Sequence, residues 1–558
     1  MSKERVLVLG LDGATFDLII PFIEKGILPN LENLIKGGVS GDLESTIPPL
    51  TLPAWYSLAT GKNPGKLGIF DLVERRNYSY STHPYSISLK EKSLWNYLNE
   101  HGYRTGILNF PGTFPPRKVD GFVVTGMLTP SERENYTYPS SLKAILNHLV
   151  GEYKLDVDQM MYSDEDAFLK DIFDVTTKRG KTAEYLIQNF DWSFLMVVFT
   201  SIDRIQHVMW KYIDQTHPQY DSKKAKRYSE YIKYYWRKLD TIIGKLIKKV
   251  GKETTIIIVS DHGFGPRNQT FYVNEWLRGR GYLKLKKAKR KSPLTKIAEY
   301  LYDRFGNTMF YHYFIGLLQK LISRKFIYRF FYQFWSHEGM INKIDWKNTK
   351  AFSCLHTSIL GNIYVNLEGR EPEGTVIKEN YEDVRNHIIN DLKKLIDPKT
   401  GKQMNVKAYK REEIYYGPYT DQAPDIIFSI NNGECESDVR FGHTTIIRQG
   451  TNDVRQSGTH RDKGVFIAHG ANIKQGHKIK GAKIIDITPT LLHIFGVPIP
   501  KNIDGRVLKD IFKQESSPGK KQINFSETSS LQEKKDNDKL TKENEDLIIK
   551  RLRNLGYL

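Results

Sequence analysis

Residues 255–263 read Thr255-Ile256-Ile257-Ile258-Val259-Ser260-Asp261-His262-Gly263, a short apolar run that stops at a carboxylate and an imidazole side by side. The β-branched residues predict a strand. Adjacent side chains at a strand end point the same way only where the chain turns, and Gly263 with Gly265-Pro266 permits that turn. Oxygen and nitrogen donors together at a strand tip are the chemistry of a metal site.

Apolar runs bounded by turn residues recur at Val6 to Leu11, Phe122 to Val124, Phe194 to Phe199 and Val465 to Ala468, with helical stretches between several of them. Strands alternating with helices predict an α/β fold whose mainly parallel sheet is covered on both faces. The clearest helix is Ser229 to Val250: Ile232, Tyr235, Leu239, Ile242 and Leu246 recur at three- and four-residue steps, and Gly251 supplies the stop. Residues 1–278 and 431–513 are expected to form the catalytic core.

Residues 279–344 change character. The basic run Lys284 to Lys291, the apolar helix candidate Met309 to Ile322 and the aromatic segment Phe326 to Trp335 are read as an inserted helical cap. It is read first as a lid on the core, then as a peripheral membrane patch over residues 284–335, and last as a nucleic-acid surface. Residues 345–430 read as a small α/β segment, with strands at Asn362 to Val365 and Asp425 to Ser429 and a helix at Tyr381 to Leu395. Residues 514–558 read as a polar linker and a C-terminal helix, Glu543 to Leu555, expected to dock on its own protein or a second subunit.

The 558 residues carry Lys+Arg 83 against Asp+Glu 64, a net charge of +19. This favours anionic partners, although a Lys-rich solvated surface accounts for it equally well. Cys354 and Cys435 are the two cysteines, which excludes a disulfide framework or a Cys-based zinc site and suits a reducing cytoplasm. Val6-Leu7-Val8-Leu9 is too short for a signal peptide, and no run approaches the roughly 18 to 20 apolar residues that span a bilayer. The expectation is a soluble cytoplasmic protein, at most peripheral to a membrane.

Further candidates follow other strand-like runs. Asp12, after Val6 to Leu11, faces the edge where open parallel sheets bind ligands; alone, it is weak evidence, since a strand-terminal Asp more often caps the following helix. Asp203 and His207 stand four apart, on one face if a helix begins there, and can converge on one cation. His460 lies in Gly458-Thr459-His460, ahead of the Val465 run. Mixed Asp/His ligation suits zinc first, with manganese or iron as the other options. The candidate nucleophile is Thr51, in Leu50-Thr51-Leu52-Pro53: Pro53 suits a first helical turn, and the amides and dipole there favour a phosphoryl oxygen. Local sequence alone also permits Thr51 to be an N-cap.

In order, Gly10-Leu11-Asp12-Gly13, Thr51-Leu52-Pro53 running on to Thr60-Gly61-Lys62-Asn63-Pro64-Gly65, Asp203-xxx-His207, Ser260-Asp261-His262-Gly263, Gly458-Thr459-His460 and Asp486-Ile487-Thr488-Pro489 resemble the alkaline phosphatase superfamily, in particular its type I phosphodiesterase/nucleotide pyrophosphatase branch. The resemblance implies a three-layer α/β/α sandwich and a two-metal phosphohydrolase. It implies that Asp12, Thr51, Asp261 and His262 hold one divalent ion, that Asp203, His207 and His460 hold the other, with Zn2+ before Mn2+, and that Thr51 forms a phospho-threonine intermediate on an anionic phosphorylated small molecule. Two departures stand out. Ala54-Trp55 replaces the Asn common after the nucleophile's Pro, and Asp71 lies in the stretch where relatives place a phosphoryl-binding Asn. An anionic Asp71 would repel phosphate, which leaves backbone amides, Lys62 or Lys66 as candidate phosphate-binding groups. Sulfatase chemistry is not expected, because Thr51-Leu52-Pro53-Ala54-Trp55 lacks the sulfatase Arg. A phosphomonoesterase or phosphomutase is the second functional reading, and a membrane-surface or nucleic-acid binding protein with a vestigial site the third. Oligomeric state is not readable.

Overall fold

The Thr255–Val259 strand is buried at every residue and pairs in parallel with an equally buried Val6–Leu11, which pairs in parallel with Phe194–Phe199. Thr105–Phe110 and Gly121–Thr125 continue the parallel run. Lys463–His469 adds on the other side, antiparallel to Thr255–Val259, followed by Val39–Glu44. This computed structural model describes residues 4–85, 91–162, 164–286, 341–355, 360–440, 442–450, 455–527 and 540–557.

Side chains alternate across a sheet, so each face gathers its own core. Val6, Val8, Met196, Val198, Ile257 and Val259 pack with Leu52, Trp55, Leu98 and Leu491, which lie on the helices Thr51–Thr60, Leu94–Glu100 and Ile487–Phe495. Leu7, Leu9, Leu195, Val197, Ile256 and Ile258 pack with Ile19, Leu31, Phe168 and Leu239 on the helices Phe16–Glu24, Pro29–Lys36, Glu165–Asn189 and Ser222–Val250. The fold is a three-layer α/β/α sandwich with a mainly parallel central sheet. The helix expected at Ser229 starts earlier, because Asp221 caps the amides of Lys223 and Lys224.

The smaller sheet reaches beyond residues 345–430. Besides Gly361–Val365 and Ile426–Ile430 it takes Gln269–Tyr272, Cys435–Asp438 and Ile447–Gln449, in the order Ala351–Phe352, Gly361–Val365, Ile426–Ile430, Cys435–Asp438, Gln269–Tyr272, Ile447–Gln449. Short polar strands such as Cys435-Glu436-Ser437-Asp438 carry no apolar run to announce them. The basic, apolar and aromatic stretches assigned to the cap lie outside the described residues, apart from residues 284–286. The two ends of that insertion meet: Leu285 bridges Ile344 antiparallel, and the Lys286 amide donates to Lys343 at 2.9 Å. Within the expected polar linker, Phe525–Ser526 pairs with Ile499–Pro500. No helix among the described residues is long and apolar enough to cross a membrane.

Candidate active site

Register brings three strand ends level: Leu11 lies opposite Phe199, and Gly10 opposite both Val198 and Val259. Asp12 follows the first strand directly. Asp203 and His207 ride on Ser201–Met209, the helix that leaves the second, and Asp261-His262 leave the third. His460 arrives by another route: Gly458–Arg461 pairs antiparallel with Gly263–Pro266, His460 opposite Phe264. Its ring stacks on His262 with centroids 3.5 Å apart. The Asp12, Asp203, Asp261, His262 and His460 side chains are essentially inaccessible to solvent, and His207 is buried.

Each imidazole is oriented by a backbone carbonyl. Nδ1 of His207 lies 2.9 Å from the Gly458 oxygen, that of His262 3.0 Å from Gly263, and that of His460 2.9 Å from Pro49. A carbonyl can only accept, so it selects the Nδ1–H tautomer and leaves the Nε2 lone pair for another partner. The Nε2 atoms of His207 and His460 face each other at 3.0 Å. Asp203 Oδ1 lies 3.1 Å from His460 Nε2 and 3.4 Å from His207 Nε2, while His262 Nε2 is 3.3 Å from Asp261 Oδ2 and 3.6 Å from Asp12 Oδ1.

Buried polar atoms ordinarily find hydrogen-bond partners. Here Asp12 Oδ1, Asp203 Oδ1, Asp261 Oδ2, His262 Nε2 and Thr51 Oγ1 are buried without one. The other oxygens are satisfied: Trp55 Nε1 donates to Asp12 Oδ2 at 3.2 Å, the Gly13 amide to Asp261 Oδ1 at 3.1 Å, and Arg204 to Asp203 Oδ2 at 2.5 Å. Orphaned lone pairs pointing together are what a cation satisfies, and the donor set fits. Asp12, Asp261 and His262 offer atoms within 4.8 Å of one another, as do Asp203, His262 and His460. His262 belongs to both groups, so the apportionment of ligands implied by the resemblance is looser here.

The electrostatics agree. Burial, then the charges of Asp261 and Asp203, push the Asp12 carboxyl well above the usual carboxylate range, and burial pushes Asp261 up likewise. Burial and the neighbouring His460 hold the His262 imidazole well below its usual value. Burial works against Asp203 as an anion, yet His207 and Arg204 outweigh it and hold its carboxyl well below the usual range. Crowded, buried carboxylates beside imidazoles that burial holds low at His262 and His460 form a site that gains from positive charge.

Thr51 is the first residue of the Thr51–Thr60 helix, and the flanking residue in the N-cap place is Leu50, so Thr51 is not a cap. The first-turn amides of Thr51 and Leu52 have no intrahelical acceptor. Lys62 and Lys66 are engaged elsewhere: Lys62 pairs with Glu91, and Lys66 with Asp504 and, at 2.9 Å, the Asn502 carbonyl. Neither brings an uncompensated positive charge to Thr51. Asp71 is buried, and burial pushes its carboxyl well above the usual range, which weakens the expected repulsion of phosphate. Three residues that touch the cluster carry no role in the sequence reading: Trp55, noted there only as a departure, Arg204 and Tyr557. Arg204 adjoins Asp203 and could have been noticed; nothing in the sequence marks Tyr557.

Converging carboxylates and imidazoles at the carboxyl edge of this sandwich, met by the helix that starts at Thr51 through the bond from its Trp55 to Asp12, are the arrangement of the alkaline phosphatase superfamily. The family model described as type I phosphodiesterase / nucleotide pyrophosphatase matches residues 6–460, and the chain belongs to that family, as a hydrolase of the phosphodiesterase/nucleotide pyrophosphatase type. Among solved structures, murine ectonucleotide pyrophosphatase / phosphodiesterase 5 is similar at 13% identity over 91% of this chain and 100% of its own, with a TM-score of 0.48. The human ectonucleotide pyrophosphatase / phosphodiesterase 5 is similar at 14% identity over 88% and 95%, with a TM-score of 0.46. No curated protein matches the chain.

Proposed function

We propose that this protein hydrolyses a phosphodiester or pyrophosphate bond of an anionic, nucleotide-like small molecule through a phospho-threonine at Thr51, at a site holding two divalent cations. The observation that carries the reading is the set of buried, unpartnered atoms on Asp12, Thr51, Asp203, Asp261 and His262. Asp12, Asp261 and His262 would hold one cation; Asp203, His207 and His460 would hold the other. When bound, zinc or manganese supplies Lewis-acid charge that offsets the negative charge on the phosphoryl oxygens and acidifies a hydroxyl.

The chain's own residues supply the rest. Thr51 Oγ1 attacks phosphorus, forming the Thr51–O–P bond as the P–O bond to the leaving group breaks; water then cleaves the phospho-threonine and restores the hydroxyl. The amides of Thr51 and Leu52 and the helix dipole face developing negative charge. Trp55 and the Gly13 amide hold one oxygen each of Asp12 and Asp261, leaving the other oxygen for a ligand.

The test is Thr51→Ala, assayed on a chromogenic phosphate diester and its monoester. Turnover should fall by on the order of a thousandfold or more, with cation stoichiometry unchanged. Chelation should silence the wild type, and zinc or manganese should restore it. Retained turnover in the variant removes Thr51 as the nucleophile, and monoester preference removes the diesterase reading.

A further inference from the structure

The Lys542–Asn554 helix is seated on the core. Ile548, Leu552 and Leu555 are buried, Arg551 donates to the Thr129 carbonyl at 3.1 Å and to Glu132 at 2.9 Å, and Asn554 donates to Asp158 at 3.0 Å. Gly556, at φ 81°, then turns the chain inward, and its carbonyl accepts from the Gln456 side chain. That turn inserts Tyr557, 7% exposed, beside the candidate metal cluster. Its hydroxyl accepts a hydrogen bond from Arg204 Nη1 at 2.8 Å and donates one to Asp203 Oδ2 at 3.4 Å. Its ring stands edge-on to His207, with centroids 6.2 Å apart.

We propose that Tyr557 is a positioning residue of the active site, and that residues 540–557 are part of the machinery. The inference rests on the reading of Asp203 as a cation ligand. A carboxylate can bind through either oxygen or both, and the choice fixes where its cation sits. Here Arg204 and Tyr557 saturate Oδ2, and Oδ1, which receives no hydrogen bond, is presented beside His207 and His460. Arg204 is braced in turn by Asp156, at 3.1 and 3.3 Å. Tyr557 adds the second donor to Asp203, takes one Arg204 hydrogen, and covers the pair from solvent. Such outer partners orient a ligand and set its affinity, and their loss typically costs about 10- to 100-fold in metal binding or activity.

The experiment is calorimetric titration of Zn2+, and separately Mn2+, into metal-free wild type, Tyr557→Phe and a chain ending at residue 539, with melting recorded for each and turnover of a chromogenic phosphate diester recorded for the metal-loaded forms. Tyr557→Phe keeps the ring and removes the hydroxyl. It should melt, metal-free, close to wild type, yet bind one of two cations about tenfold more weakly with the other unchanged; the shortened chain should bind that cation more weakly still. Lower melting with both affinities unchanged assigns the tail a purely structural role and overturns the proposal. Faster turnover by the shortened chain also overturns it, since the tail would then obstruct the site. Unchanged affinities in Tyr557→Phe remove only this inference. A wild type that binds no cation removes the two-metal reading, and this one with it.

Discussion

Asp261 divides its two oxygens between duties: Oδ1 accepts from the Gly13 amide at 3.1 Å, and Oδ2 is buried without a hydrogen bond, 3.3 Å from His262 Nε2. Without a cation, Asp12, Asp203 and Asp261 crowd negative charge in a site that excludes water, and the fold bears a penalty for it. For a carboxyl whose folded value is raised, that penalty builds between the ordinary value of 3.8 and the raised one, and is fully present above both. Asp261→Asn keeps an acceptor for Gly13 and removes one charge. In chelator at neutral pH this variant should be more stable than wild type by about 1–2 kcal/mol, as for substitutions that relieve a functional site, and it should gain less melting temperature than wild type when zinc is added, because only the Asp203, His207 and His460 group is left complete. Scanning calorimetry with and without zinc reads both. A less stable metal-free variant would mean that the cluster is not self-repelling.

The elements deliver these side chains by stopping level with one another, and the turn after Val6–Leu11 is the tightest link. Gly13, at φ 70°, occupies the left-handed region while offering its amide to Asp261. A Cβ there would lie 3.0 Å from Phe264, 3.3 Å from Gln206 and 3.4 Å from His262. Gly13→Ala should therefore cost the backbone strain of about 1–2 kcal/mol and also displace a cation-site partner, lowering zinc affinity. Gly26, at φ 66° with nothing within 4 Å of its would-be Cβ, supplies the control. Gly26→Ala should show the stability loss alone, and equal zinc affinities in the two variants would dismiss the Gly13 turn as a site element. Legibility follows the same physics. Val6–Leu11, Phe194–Phe199 and Thr255–Val259 were readable because strands buried on both faces are apolar throughout. Thr105–Phe110, with Thr105, Gly106 and Asn109 among its six residues, was not singled out, and Gly263–Pro266, the ribbon that places His460, has strand geometry only because a partner pairs with it. Asp12, Thr51, Asp203, His207, Asp261, His262 and His460 carried their own motifs. Tyr557 did not, since its role depends on where a distant helix docks.

Across the whole molecule, the smaller sheet is tied down by a charge cluster of the opposite kind to the candidate active site. Asp425 has no exposed surface, yet it accepts from the Val365 amide at 2.7 Å, from Arg370 at 2.6 and 2.7 Å, from Arg411 at 3.0 Å, and from the Tyr381 hydroxyl. Burial alone would raise its carboxyl; Arg370 and Arg411 outweigh burial and lower it below the usual 3.8. A carboxyl depressed in the fold contributes stability above its unfolded value and loses it as pH falls through the folded one. The Asp261 and Asp425 clusters thus push stability in opposite directions on acidification, so a wild-type pH profile mixes them, and a difference between variants separates them. Asp425→Asn leaves Arg370 and Arg411 facing a neutral amide in a buried site, and should cost about 3–5 kcal/mol at neutral pH. Melting of wild type and variant, measured in chelator from pH 7 down to the acid limit of folding, should show the full gap at neutral pH, narrowing only once pH drops below the usual carboxylate range. A gap that stays constant into acid would mean that the Asp425 charge stabilises nothing, and that the smaller sheet depends on its apolar contacts alone.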